Sequence, residues 1–383
     1  MNTNSLSSKI MKYLDGHQLE MTNFLSRIIE LESPSDDKAA VDRLGTYLVS
    51  ELNSLDARIE VCVQATAGNH ILARWGKGAG GVLILCHMDT VWGLGTVAER
   101  PVRIEAGRLF GVGAEDMKGG IVIGIWALRA LRELGIFPRI PITLLLTSDE
   151  ETGSVTSRPI IQKEASEKQA VFVLEPAQPP NGSLKTSRKG IGDFHIAVTG
   201  RAAHAGADHE KGVNAVDELA FQVLDLRQLT NYQTGTTLNV GVTGGGTRTN
   251  VVPANAWADV DVRVSKTEES GRITRIMQSL APHILGASIE VTGGFDRPPM
   301  VRTPAIAALF SRARNLAADL GFDLTEASAG GASDGNFTAA YGVPTLDGMG
   351  VVGDGGHSTE EYAILRSLPE RAALLAAMLH SYG

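Results

Sequence analysis

The chain has 383 residues, with 35 basic against 43 acidic side chains, a net charge of −8 and 43% hydrophobic residues. That balance argues against non-specific nucleic-acid binding, and no apolar run approaches the roughly 20 residues that span a bilayer. Cys62 and Cys86 make no framework of bridges, and the polar start MNTNSLSSKI lacks the apolar core of a signal peptide, so a soluble cytoplasmic protein of about two domains is expected.

Residues 5–53 are predicted helical. Phe24, Ile28 and Leu31 continue one apolar face, and Leu44, Leu48 and Leu52 make another beyond the break at Ser33-Pro34-Ser35. Strands are predicted at 58–64, 69–75 and 82–86, the last entered through the glycine-rich GKGAGG. A helix over 117–135 ends at Gly135, then come the buried strand PITLLLTS, a helix at 155–168 and the strand AVFVLE at 170–175. This rhythm predicts an α/β fold, a mostly parallel sheet covered by helices.

The texture changes after residue 188. The strand GIGDFHIAVTG, a helix at 213–229, strands at 236–243 and 256–264, a helix at 268–284 and a strand at 287–293 follow the β-α-β-β-α-β plan of ferredoxin-like α+β domains. Helices at 303–320 and 359–380 close the chain, with His357 just before the last. The expected organisation is therefore a discontinuous catalytic domain, 1–188 plus 299–383, with residues 189–298 inserted.

Metal-capable side chains stand at the strand ends and in the glycine-rich loops: His87 and Asp89 in LILCHMDT, Asp116 in GAEDMKGG, Glu150 and Glu151 in LLLTSDEETGS, Glu175 in AVFVLEP and His357 in GGHSTEEY. The carboxyl ends of parallel strands are where open sheets build ligand sites. His87 can ligate a metal through one ring nitrogen while Asp89 holds the other N–H; a surface hydrogen bond is the ordinary alternative. Asp116 can bridge two cations with its two oxygens, or cap the helix after it. Glu151 is read as a ligand and Glu150 as general base, against a solvated acidic turn. Glu175 ends an apolar run and needs a partner, a cation or a salt bridge. His357 is either a ligand or a plain loop residue. Counting favours two metals, one held by His87, Asp116 and Glu175, the other by Asp116, Glu151 and His357.

Together HMDTV, GAEDMKGG, SDEETGS, the Glu175 strand end and GGHSTEE resemble the M20 family of dinuclear zinc peptidases and deacylases, and within it the glutamate carboxypeptidases of the carboxypeptidase G2 type. The resemblance implies two Zn2+, which Co2+ could replace, a smaller dimerisation or lid domain, a homodimer, and a cis peptide at Asp116-Met117. It also implies that His204 in GRAAHAG donates to a developing oxyanion. Asn250 in GGTRTNVVP would contact substrate, Arg263 in ADVDVRV would grip its carboxylate, with Arg297 in the same pocket, and Asp334 would line or support the site. Two departures from the pattern are expected: relatives of this type often carry an export signal, which is not expected here, and the RKG stretch at 188–190 need not be shared by them.

The implied substrate is a small peptide or N-acyl amino acid, with release of C-terminal glutamate. The alternative is a deacylase of the acetylornithine or succinyl-diaminopimelate kind. A nucleotide-binding reading is weak, because GVGAED lacks the third glycine of the dinucleotide fingerprint.

Overall fold

Six consecutive residues, Val82–His87, are all buried, because the strand they form lies inside a sheet with both faces covered. The computed structural model describes residues 3–383. Val82–His87 pairs in parallel with Ile142–Thr147 on one side and Ala170–Val173 on the other. Thr345–Leu346 extends the parallel set beyond Ala170–Val173. At the other edge His70–Trp75 and then Arg58–Cys62 add antiparallel strands, completing six.

Side chains alternate across this sheet. Leu83, Leu85, Leu145, Val171 and Val173 pack on one face with Ile161 and Phe337, from helices Arg158–Ala165 and Gly335–Ala340. On the other face, Gly124 of helix Gly119–Glu133 sits over Leu174, Ile84 and Leu144. That helix is apolar nearly all round because helices Gln18–Glu30 and Ser367–His380 pack on it in turn. The parallel arrangement brings the ends of three strands, hence His87, the turn after Thr147 and Glu175, to one edge of the sheet.

The chain divides into two compact units. One comprises the chain up to Thr186 with Arg302–Ala329 and Ser333–Gly383; the other is Ser187–Val301 with Gly330–Ala332. The second unit holds an antiparallel sheet in the order Thr237–Gly245, Asn255–Val264, Gly190–Thr199, Ser288–Arg297. Phe194, Ile196, Val260 and Val262 face a core shared with Leu219 and Leu226 of helix Ala215–Arg227 and with Ile273 and Met277 of helix Thr267–Gln278. This is the ferredoxin-like β-α-β-β-α-β order.

Several boundaries differ from the sequence expectation. The last helix starts at Ser367 and not at 359, because Tyr362–Ile364 is drawn into a strand against Arg108–Phe110. The helix expected from 117 begins at Gly119, because Asp116 and Met117 have non-helical backbone angles. The helix expected to reach 284 ends at Gln278; the N–H groups of His283 and Ile284 are taken by the buried Glu218 carboxylate. The expected first helix is two, Thr3–Gly16 and Gln18–Glu30. Among the described residues no helix is long and apolar enough to cross a membrane.

Candidate metal centre

His87 ends its strand with the ring buried. Its Nδ1 donates to the backbone carbonyl of Asp89 at 2.9 Å, with the Asp89 carboxylate farther away at 3.5 Å. A carbonyl only accepts, so Nδ1 carries a proton, and Nε2 is the nitrogen left to face the neighbouring carboxylates. Nε2 lies 3.1 Å from Asp116 Oδ1 and 3.5 Å from Glu175 Oε1. Besides facing the His87 ring, the Asp89 carboxylate accepts Ser35 Oγ at 2.8 Å and the N–H groups of Glu150 and Glu151 at 3.3 and 3.2 Å. Burial opposes its charge, yet His87, Ser35 and the Glu151 N–H hold its carboxyl below the ordinary value.

Asp116 sits in the tight turn Ala114–Lys118, and its peptide bond to Met117 is cis. While Oδ1 faces His87, Oδ2 lies 3.4 Å from His357 Nε2. His357, at a positive φ of 63°, also places Nε2 3.3 Å from Glu151 Oε2. Ligand atoms of His87, Asp116 and Glu151 all lie within 4.8 Å of one another.

The electrostatics of this cluster call for positive charge. Burial penalises a charged His87 ring, but hydrogen bonds with Asp116, Asp89 and Glu175 raise its pKa well above the ordinary histidine value. His357 is pushed up to about 11 by Asp116 and Glu151. Asp116, although buried, is held far below the carboxylate range by the two histidines. Burial pushes Glu151 upward, and its Oε1 is buried without a hydrogen-bond partner. Two imidazole nitrogens, crowded carboxylates and an orphaned oxygen suit a borderline divalent metal, whose charge offsets their mutual repulsion.

The supporting loop is held by a set of hydrogen bonds. Glu150 opens the short turn Glu150–Thr152 with its backbone tied to Asp89. Asp149 Oδ2 accepts Thr156 N and Oγ1 and Ser157 N. Asp334, 3% exposed, accepts the Thr147 and Ser154 hydroxyls, so it braces the turn between them.

The other singled-out residues belong to the second unit. Gly206 and Ala207 N–H both donate to His204 Nδ1 at 3.1 Å, which leaves the ring proton on Nε2. Asn250 accepts the Ala205 N–H at 3.0 Å through its backbone carbonyl, and Val252 N donates to Ala203 O, so the loops carrying His204 and Asn250 are stitched together. Arg263 grips Asp261 with Nε and Nη2 at 2.7–2.9 Å. Arg263 and Arg297 both pair in register with Ile191, which sets them in one row across the sheet; Arg297 is buried.

Sequence reasoning passed over two buried carboxylates beside Asp116. Glu361 accepts the N–H groups of Gly113, Glu115 and Asp116, and Glu115 accepts that of Gly356. The acidic neighbours in GAEDMKGG and GGHSTEEY were the available signal.

Residues 83–381 match the model of peptidase family M20/M25/M40. The chain belongs to this family. It is 29% identical to carboxypeptidase G2 of Pseudomonas sp. (strain RS-16) over 366 residues, 94% of this chain and 88% of that protein. It is 31% identical to acetylornithine deacetylase of Proteus mirabilis (strain HI4320), over 58% of this chain and 60% of that one. Among solved structures, the aminopeptidase PepT of Bacillus cereus shares the fold with a TM-score of 0.78 at 21% identity, covering 95% of this chain and 98% of that one. A dinuclear metal-binding M20 peptidase of Bacillus subtilis does so with a TM-score of 0.72 at 16% identity, covering 96% and 99%. The chain is thus an M20-family hydrolase with a mostly parallel α/β core, and its His87, Asp116 and Glu151 form a group able to hold metal.

Proposed function

We propose that this M20 hydrolase is a dinuclear zinc enzyme that cleaves an amide bond beside a free carboxylate, releasing C-terminal glutamate from peptides or N-acyl, folate-like compounds. The observation that carries the reading is the division of Asp116, with one carboxylate oxygen toward His87 and the other toward His357. Glu175 flanks His87 and Glu151 flanks His357, so two three-ligand shells share Asp116. Bound divalent ions supply Lewis-acid polarisation of a carbonyl and a water of lowered pKa.

The chain's own groups do the rest. Glu150 takes the proton of the attacking water and passes it to the leaving amine. Asp89 keeps Glu150 in place by accepting its backbone N–H. His204 offers its Nε2 proton to the oxyanion, a role supported by the two N–H groups that occupy Nδ1. Arg263, with Arg297 and Asn250, receives the substrate carboxylate, which displaces Asp261 from the guanidinium fork. In this reading residues 1–188 and 299–383 are the catalytic zinc domain and 189–298 a lid that also joins two chains. The outward Phe221 and Leu224, 46% and 56% exposed, support a partner surface there.

The match to acetylornithine deacetylase favours a second reading, removal of an acyl group from an amino acid at the same centre. One experiment tests both. The protein is stripped by exhaustive chelation, reloaded with zinc or cobalt, and offered N-acylglutamates, peptides ending in glutamate, and N-acetylornithine. Free glutamate appearing only after reloading is the expected result. Activity untouched by chelation overturns the metal mechanism, and turnover confined to N-acetylornithine selects the deacylase.

A further inference from the structure

Asp116 and His357 come from loops far apart in the chain, and each loop sends one buried carboxylate into the other's backbone. Glu361, 1% exposed, accepts Glu115 N at 2.9 Å and Asp116 N at 3.1 Å on Oε1, and Gly113 N at 3.0 Å and Trp92 Nε1 at 3.2 Å on Oε2. In return Glu115, 5% exposed, accepts Gly356 N at 2.9 Å on Oε2, one residue before His357. The loops spring from neighbouring strands, since Tyr362–Ile364 pairs with Arg108–Phe110. Within its own loop Glu361 N donates to Ser358 O and Ser358 N to Gly355 O, so a pull on Glu361 is felt at His357.

Burying two carboxylates is costly unless donors replace the lost water. Here three of the donors, the N–H groups of Glu115, Asp116 and Gly356, belong to residues that carry or adjoin Asp116 and His357, and Gly113 N and Trp92 Nε1 complete the set. We infer that Glu361 and Glu115 form a reciprocal clamp that sets the spacing between Asp116 and His357, making both glutamates positioning residues for one of the two cation shells. The inference rests on the dinuclear reading. It makes an asymmetric demand. His87 and Glu175 are placed by strand ends, so the clamp governs only Asp116 in their shell. In the other shell it governs both Asp116 and His357, leaving Glu151 alone outside it.

The test is cobalt(II) titration of the metal-free full-length chain, followed by calorimetry and by the visible absorption of the bound ion. Wild type is expected to take up two ions in distinguishable steps. In Glu361→Ala and Glu115→Ala one of the two steps is expected to lose roughly 10–100-fold in affinity while the other changes by about threefold or less. Glu115→Gln keeps an oxygen that accepts from Gly356 and is expected to behave as wild type. In Glu361→Gln an amide NH2 would meet N–H donors, so it is expected to fail like the alanine variant. Circular dichroism reports whether each variant folds; if Glu361→Ala does not, Glu115→Ala against Glu115→Gln decides. Folded alanine variants that bind both ions as wild type does, or that weaken both steps equally, overturn the clamp and leave the dinuclear reading standing. A wild-type chain that binds a single ion overturns the dinuclear reading, and the clamp with it.

Discussion

Glu175 follows Leu174, whose carbonyl is packed closely by two glycines, and this packing can be perturbed without touching a candidate ligand. Gly120 lies in helix Gly119–Glu133 directly against Leu174. A Cβ added there would overlap the Leu174 carbonyl oxygen and fall 3.0 Å from its carbonyl carbon, both backbone atoms that cannot swing away. Restoring ordinary contact of about 3.5 Å requires the helix and strand end to separate by more than about 1 Å. Alanine gains about 1 kcal/mol in helix propensity over glycine, against about 1–3 kcal/mol of overpacking. The net loss of stability in Gly120→Ala is therefore at most about 2 kcal/mol. A displacement of about 1 Å at a catalytic centre costs on the order of 100-fold in rate. Activity should accordingly fall much further than stability. The assay is kcat of the zinc-loaded protein beside its denaturant midpoint. Gly350→Ala, whose Cβ would meet the Leu174 and Glu175 carbonyls, should behave alike. Wild-type kcat in both variants would refute the idea that these contacts set Glu175.

Glu150→Gln should retain both ions and lose about 10²–10⁴-fold in kcat, because the proton acceptor is gone; loss of metal instead, measured by elemental analysis, reverses the roles of Glu150 and Glu151. Arg263→Ala should raise KM about tenfold or more with a smaller effect on kcat, since a charged hydrogen bond is worth about 1.5–3 kcal/mol; an unchanged kcat/KM removes Arg263 from the pocket. In the second unit, hydrogen bonds from Arg272 and Thr236 hold Glu269 at about 2, below its ordinary 4.5. A depressed folded-state pKa gives stability that is present above pH 4.5 and lost as pH falls through about 2. Glu269→Gln should thus melt below wild type at neutral pH, with the gap closing on acidification; a gap constant across that range counts against the assignment.

Much of the architecture was legible in the chain. Apolar runs such as LILCH and ITLLLT mark strands buried on both faces, and alternation in GIGDFHIAVT marks the half-buried sheet of the second unit. These are local signals, because burial on one face imposes a period of two and on both faces none. The short strands Arg103–Glu105 and Gly353–Asp354 were not legible. They have too few residues to show a period, and they exist only because other segments pair with them.

The candidate metal ligands stood out because strand ends and glycine-rich loops are where such residues have chemical use. Sequence alone therefore determined which side chains could serve, and that parallel strands would carry His87 and Glu175 to one edge. Tertiary structure decided how they are held. It turned the Asp89 carboxylate to the N–H groups of Glu150 and Glu151, divided Asp116 between two histidines, and set Glu361 against the backbone of Asp116, 245 residues away. A carboxylate binding distant backbone N–H groups leaves no periodic or compositional trace, since any residue but proline supplies the donor. Only the folded path of the chain determines which donors it meets.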